Sequence, residues 1–317
     1  MPKNNDTFKS PATLARGGLA KLREVVLQTK WLKVFRAREV FPGISTIFIA
    51  ALDTRHLIAL SQLLLMIAGF LSIYFSAFLI NELVDSYDTD EYNPERNKGI
   101  TKHGVSRRFT LVSFLAASII GVSVLAYLGL TWTGLLAFAI LFLYSAPVIR
   151  LKGWPFIELI AVTIGCALLP YIAYYQLVGL PFTWHEWLII AFFSLGFPAI
   201  QLVNEGADID ADRQAGITTT AVVLGERNNL LLIEILSLSS AIVGLVTMFL
   251  TGHWWYLYIV TMIFFLFTAA RFGLTIYHNR ARLHELLRTG EKFGVLASDA
   301  GTVIILVIYV CVSLWPF

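Results

Sequence analysis

An amide and two carboxylates recur at intervals of four in one stretch of this chain: Asn204, Asp208 and Asp212, within NEGADIDADRQAG at residues 204–216. On a helix, steps of four drift by about 40° and climb about 6 Å, so the three side chains share one face. The stretch closes an apolar run, Trp187–Val203, and another apolar run, Leu230–Leu250, follows it closely. Carboxylates at membrane depth are costly and by default mark a functional site with a partner. The partner that suits clustered Asp oxygens is a hard cation such as Mg2+, held by one or two carboxylates and by the phosphates of a substrate.

The same spacing occurs earlier. Asn81 and Asp85 lie four apart in INELVDSYDTDEYNPERNKG, followed by Asp88 and Asp90. On a continuing helix Asp88 would sit about 60° from Asp85, whereas Asp90 would point about 140° away. Asp90 joins a site only if the helix ends after Asp85, which Asn93-Pro94 makes reasonable. Between the two acidic stretches, LYSAPVIRLKGWP places Tyr144 before Pro147, with Arg150 and Lys152 after it. Cations facing two acidic clusters suggest that a polyanion bridges them, metals on one side and Arg150 and Lys152 on the other. Arg96, Lys98 and Lys102 are further candidates for the basic side. Glu158, one turn into the next apolar run, is another costly buried acid.

These residues need elements to hold them at one membrane face. The 317 residues are 57% hydrophobic and only 14% charged, with mean hydropathy +0.72. Soluble domains average about 25% charged. The expected fold is therefore all-α and polytopic in the membrane. Windows of about twenty apolar residues predict spans near 57–80, 109–129, 131–149, 155–177, 185–204, 229–250, 255–277 and 294–316, with a weaker one at 35–52. Nine helices result, and the repeated Asn-x-x-x-Asp suggests two four-helix pseudo-repeats plus a ninth helix around a central cavity. Residues 1–34 form a basic segment, in which 14–27 suits an interfacial helix. The remainder, 35–317, is one transmembrane domain. With nine spans, all Lys and Arg residues except Arg55 and Arg271 fall on the side of the N-terminus, so that side, with both acidic clusters, is predicted to be cytoplasmic.

Other chemistries find little support. Cys166 and Cys311 lie inside spans and are expected as free thiols. The six His residues show no metal-ligand spacing, and no phosphate-cradling Gly loop or nucleophile elbow occurs. Arg271 and Asp299 suit a structural pair. Nothing calls for a nucleic-acid partner. A cation-coupled transporter is the rival class, but its site would lie at mid-bilayer on broken helices. These acids sit at helix ends.

The two Asp-rich stretches, Tyr144 with Arg150-Leu151-Lys152, and the nine spans resemble the UbiA superfamily of intramembrane prenyltransferases. DADRQAGITTTAVVLG follows that family's pattern of Asp-x-x-x-Asp-x-x-x-Gly, then Thr, then an apolar stretch ending in Gly. Three features resemble the branch that prenylates 1,4-dihydroxy-2-naphthoate in menaquinone biosynthesis: the longer first motif with Thr89-Asp90, Glu158 at the start of the fifth span, and the Asn-Glu opening of the second motif. There are departures. Ile217 stands where many members carry Lys, leaving Arg213 to compensate, His103-Gly104-Val105-Ser106 replaces a Gly-Gly-Ser, and Pro155-Phe156 replaces a Gly pair.

The resemblance implies Mg2+-dependent transfer of a prenyl group from a polyprenyl diphosphate to an aromatic acceptor, the naphthoate or a related quinone precursor. Two Mg2+ ions would be held by Asp85 and Asp90 (or Asp88) and by Asp208 and Asp212, with Asn81 and Asn204 as ligands or orienters. Arg96, Lys98, Arg150, Lys152 and Arg213 would bind the diphosphate. Tyr144 would face the allylic cation, Glu158 would lie at the acceptor site, and the protein would sit in the inner or plasma membrane of a prokaryotic cell. Benzoate, haem, chlorophyll-type and glycerol-phosphate lipid acceptors are the alternatives within the family.

Overall fold

A computed structural model of the chain describes residues 41–54, 56–87, 92, 100–101 and 104–251. Among them the regular structure is helical throughout: α1 (Phe41–Thr54), α2 (Leu60–Asp85), α3 (Arg107–Tyr127), α4 (Thr131–Ser145), α5 (Ile157–Val178), α6 (Trp184–Gln214) and α7 (Thr220–Thr251). Five of these, α2, α3, α5, α6 and α7, are long and apolar enough to cross a membrane, while α1 and α4 are shorter apolar helices. The spans expected at 255–277 and 294–316, the interfacial segment at 14–27 and the Arg271–Asp299 pair lie outside the described residues, as does Cys311. Cys166 is a free thiol.

Local chemistry sets the helix ends. α4 stops at Ser145, four residues short of the expected 149, because Ala146 precedes Pro147 and takes an extended conformation (φ −62°, ψ 132°). α5 ends at Gly179, whose positive φ of 75° lets its N–H close on the Tyr175 carbonyl at 2.9 Å. α6 opens with Thr183 and Glu186 capping each other. It then runs ten residues past the expected apolar span, to Gln214, so the second acidic motif is itself helical. α7 starts at Thr220 rather than 229 and is bent at Gly225.

α2 packs along α3, and α6 along α7. Small residues allow the first of these crossings. A Cβ on Gly121 of α3 would lie 2.8 Å from the Ile73 side chain and 3.0 Å from both the Gly69 carbonyl oxygen and the Ile73 nitrogen of α2. The main core gathers Ile47 of α1, Met66, Phe70 and Ile73 of α2, Tyr171, Tyr174 and Tyr175 of α5, and Ile189 of α6. A π turn at Ile164–Leu168 interrupts α5. Tyr74 of α2 donates its hydroxyl to the Cys166 carbonyl there at 3.1 Å, satisfying a group in a turn whose ladder is locally wider.

Because backbone atoms oppose Gly121, the substitution Gly121→Ala must push α2 and α3 apart. The expected loss is about 1–3 kcal/mol, read as a lower thermal midpoint of the detergent-purified protein. An unchanged midpoint would show that the crossing is looser than described.

Candidate active site

The first acidic motif closes α2. Asn81 and Asp85 lie one turn apart, and the Asn81 amide donates to Asp85 Oδ2 at 2.9 Å. Ser145, at the end of α4, donates to Asn81 Oδ1 at 3.1 Å, which fixes the amide's orientation. Asp85 is the last residue of α2, so the helix does end where Asp90 needed it to end. Asp88, Asp90, Arg96, Lys98 and Lys102 themselves lie outside the described residues.

The α4–α5 connection brings the cations. Arg150 Nη2 reaches Asp85 Oδ1 at 3.3 Å, and Lys152 Nζ reaches Asp85 Oδ2 at 3.4 Å. Lys152 also lies 3.8 Å from Asp212 Oδ1 of α6. Carboxylates from two helices thus converge on one ammonium. Both are nearly sealed, Asp85 at 3% and Asp212 at 2% exposure. Removing one partner of such a buried pair leaves a charge uncompensated, at a cost of about 3–5 kcal/mol.

The connection is strained and pinned. Arg150 (φ 47°, ψ 64°) and Phe156 (φ 66°) adopt left-handed backbone despite carrying side chains, at a cost of about 1–3 kcal/mol each. Thr220, first residue of α7, holds the far end: its hydroxyl accepts the Phe156 N–H at 2.6 Å and donates to Glu158 Oε1. Its own N–H donates to the same carboxylate oxygen at 2.8 Å. A carboxylate at a helix N-terminus is favourably placed for the helix dipole. Glu158, fully buried, therefore anchors the cation-bearing connection to the segment that follows the second acidic motif.

Beside this lies a second polar group. Gln201 of α6 donates one amide hydrogen to the Tyr144 hydroxyl at 3.0 Å and the other to Glu205 Oε1 at 3.1 Å. Glu205, like Glu158, is buried. The Tyr144 hydroxyl lies within electrostatic reach of Glu205, Glu158, Asp212 and Asp85.

Of the residues singled out in the sequence, Asn81, Asp85, Asp212, Arg150 and Lys152 form one cluster, with Tyr144 beside it. Asn204 and Asp208 are half-buried on α6, two turns and one turn before Asp212 respectively. Arg213 is not brought in. It is exposed and pairs with Asp210 at 3.1 Å, three residues back on the outer side of α6. Ile217 is buried, its N–H donating to the Asp212 carbonyl at 2.8 Å and its side chain beside Gly153. The cation next to Asp212 is Lys152. Ser145, Gln201, Glu205 and Thr220 were not recognised as site residues in the sequence, and neither was Glu82, which is buried and accepts the Ile100 N–H at 2.7 Å. Glu82 and Glu205 each directly follow the Asn of an acidic motif and could have been suspected. The others carry no signal separable from ordinary helix residues.

Acid-tipped helix ends facing an arginine and a lysine, in a bundle of apolar helices, suit an intramembrane enzyme that handles a polyanion. The model of the UbiA prenyltransferase family matches residues 43–287, and the chain belongs to that family. It is an integral membrane prenyltransferase. It is 30% identical over 200 residues to a lycopene elongase/hydratase of Corynebacterium glutamicum, covering 61% of this chain and 67% of that protein. A lycopene elongase/hydratase of Haloarcula japonica is 34% identical over 158 residues, covering 47% and 50%. In fold the chain resembles a UbiA homologue of Archaeoglobus fulgidus bound to GPP and Mg2+, at a TM-score of 0.66, 16% identity, and 87% and 100% coverage.

Two expectations follow. Asp85→Asn and Asp208→Asn should insert and fold yet lose prenyl transfer by about 10²-fold or more, measured with labelled prenyl diphosphate. Full activity in either would remove that residue from the site. Thr220→Val should release Glu158 and the 150–156 connection, lowering stability by about 1–3 kcal/mol and raising KM for the diphosphate. Unchanged KM would show that the clamp does not set the position of Arg150 and Lys152.

Proposed function

We propose that the protein transfers a prenyl group from an allylic diphosphate to a terminal double bond of a long polyene of the lycopene type, dependent on Mg2+. The observation that carries the diphosphate half is the convergence of Asp85 and Asp212, from two helix ends, on Lys152 Nζ. The lycopene elongase/hydratase names of relatives at 30–34% identity support the polyene half.

The donor set fits the metal. Asp85, Asp208 and Asp212, with Asn81 and Asn204, offer hard oxygens, and the Asp85 and Asp212 oxygens already face one positive charge. Asp88 and Asp90 are proposed to complete the first motif. When bound, Mg2+ stabilises the charge that builds on the departing diphosphate. Arg150 and Lys152 offset Asp85 and Asp212, and on substrate binding they would take phosphate oxygens. Arg96 and Lys98 are proposed to join them.

As the allylic C–O bond breaks, its electron pair leaves with the diphosphate. The Tyr144 ring, held through its hydroxyl by Gln201, is placed to stabilise the carbon cation. The acceptor double bond supplies the pair for the new C–C bond. The cation formed on the acceptor then loses a proton, or takes up water and releases one. Glu158 and Glu205 are the carboxyl groups beside Tyr144 that can handle that proton. The acidic motifs face the cytoplasm in this reading, as the distribution of Lys and Arg suggests.

The 1,4-dihydroxy-2-naphthoate acceptor is the second reading. One feature behind it, Glu158, is engaged by Thr220, so its presence has a structural explanation. Membranes containing the protein should convert lycopene plus a labelled allylic diphosphate to a longer carotenoid, detected by mass spectrometry, and EDTA should abolish the conversion. Prenylated naphthoquinol formed in preference to elongated carotenoid would replace the polyene reading. Activity surviving exhaustive EDTA treatment would remove the metal.

A further inference from the structure

A second polar cluster lies at the opposite end of α6, about 35 Å along the helix from Asp208 and Asp212. It joins Asp53 at the end of α1, Tyr171 and Tyr175 of α5, and Thr183, His185 and Glu186 where α6 begins. Its hydrogens can be counted. The Thr183 N–H and hydroxyl both donate to Glu186 Oε2 at 2.6 Å. That uses the hydroxyl's one hydrogen, so the 2.7 Å contact between Thr183 Oγ1 and His185 Nδ1 must be donated by the ring. Tyr171 donates to Asp53 Oδ2 at 2.7 Å, and Tyr175 donates to the same oxygen. Every donor hydrogen of these side chains is then assigned.

What remains is a set of lone pairs facing one another. A neutral His185 carrying its proton on Nδ1 presents a bare Nε2, which lies 2.7 Å from Glu186 Oε1 and 3.9 Å from Asp53 Oδ1. The Tyr175 hydroxyl also lies 3.1 Å from that same Glu186 oxygen, and its single hydrogen can serve only one of the two carboxylates. One ligand atom from each of Asp53, His185 and Glu186 falls within 4.8 Å of the others. Such an arrangement is repulsive unless positive charge occupies it. A proton on Nε2 would bridge only to Glu186 and offset one of two carboxylates. A divalent cation would bind all three atoms and offset both.

We propose that Asp53, His185 and Glu186 form a divalent transition-metal site, of the Zn2+ class, that clamps the start of α6 to the end of α1. An imidazole with two carboxylates suits a borderline metal better than the all-oxygen preference of Mg2+. Ligands about 2.0–2.2 Å from a tetrahedral metal sit roughly 3.3–3.5 Å apart, and the observed 2.7 and 3.9 Å bracket that separation. The supporting hydrogen bonds are those that orient metal ligands elsewhere: an imidazole N–H held by an oxygen, and the second oxygen of each carboxylate held by hydroxyls. His185 keeps 30% of its side chain exposed, which gives an ion a way in. Asp53 lies far before the adjacent His185 and Glu186 in sequence, so no spacing announces the set.

The test uses the full chain in detergent, stripped of metal and carrying Asp208→Asn to weaken the other site. Titration with ZnCl2 should show one saturable site and a raised thermal midpoint. CoCl2 in its place should give visible absorption of a nitrogen-ligated, low-coordinate ion. His185→Gln and Asp53→Asn should each weaken ZnCl2 binding at least tenfold and abolish that spectrum. Absence of the spectrum in the parent protein would overturn the site, and that reading needs neither ligand variant to fold. So would equal binding in His185→Gln, or a midpoint that responds to pH but not to ZnCl2, which would indicate an imidazolium in place of the metal.

Discussion

Charge in a medium that solvates it poorly must be matched on the spot, and the cluster of Asp85, Arg150, Lys152 and Asp212 is built around that requirement. Each carboxylate is sealed from water, and each is met by a cation from the α4–α5 connection rather than from its own helix. The helices are apolar along most of their length and cannot supply such cations without placing them in lipid. A short connection between two spans can. The strained backbone at Arg150 and Phe156 follows from this division of labour: a few residues must leave one helix, present two long basic side chains inward, and enter the next helix.

That connection is held at both ends. Pro147 stops α4 where Ser145 can still orient Asn81, and Thr220 ties Phe156 and Glu158 to the start of α7. The second acidic motif lies on α6, and Thr220 begins the helix that α6 packs along most extensively. One hydroxyl therefore sets the register between the basic connection and the acidic helix. Glu158 has a role here, closing the N-terminus of α7, that requires no contact with an acceptor.

The sequence made much of this legible for a physical reason. Asn-x-x-x-Asp at a helix end is a local pattern, and helical periodicity turns local spacing directly into a shared face. Asn81 with Asp85, and Asp212 with the residues one and two turns before it, were readable on that ground. So was the presence of basic residues between the acidic motifs. Partners that depend on how helices cross were not. Ser145, Gln201 and Thr220 are ordinary helix residues until Asn81, Tyr144 and Glu158 arrive beside them from elsewhere in the chain. Arg213 shows the converse error: it is adjacent to Asp212 in sequence, but one residue is about 100° of helix, and it turns outward to Asp210. The six His residues looked inert for the same reason. The groups facing His185 include Asp53, contributed by a helix near the other end of the described chain.

The length of α6 explains how one element can serve such different chemistries. Its 31 residues rise about 46 Å, against a hydrocarbon layer of about 30 Å. The excess must project into the headgroup regions, and both polar clusters occupy the two ends. Under the proposed function, Asp208 and Asp212 stand at the depth where the diphosphate of a membrane-borne isoprenoid would reside, with its tail among the apolar turns below. The 26 residues of α2, about 39 Å long by the same measure, bring Asp85 to that level. Tyr144 lies at the last turn of the shorter α4, beside these acids. Placing the acids at helix ends avoids the larger cost of charge at mid-bilayer and aligns the bond to be broken with the boundary between a wet and a dry environment. In the proposed reaction, departure of the diphosphate would be favoured on one side of that boundary, and the carbon cation would be kept from water on the other.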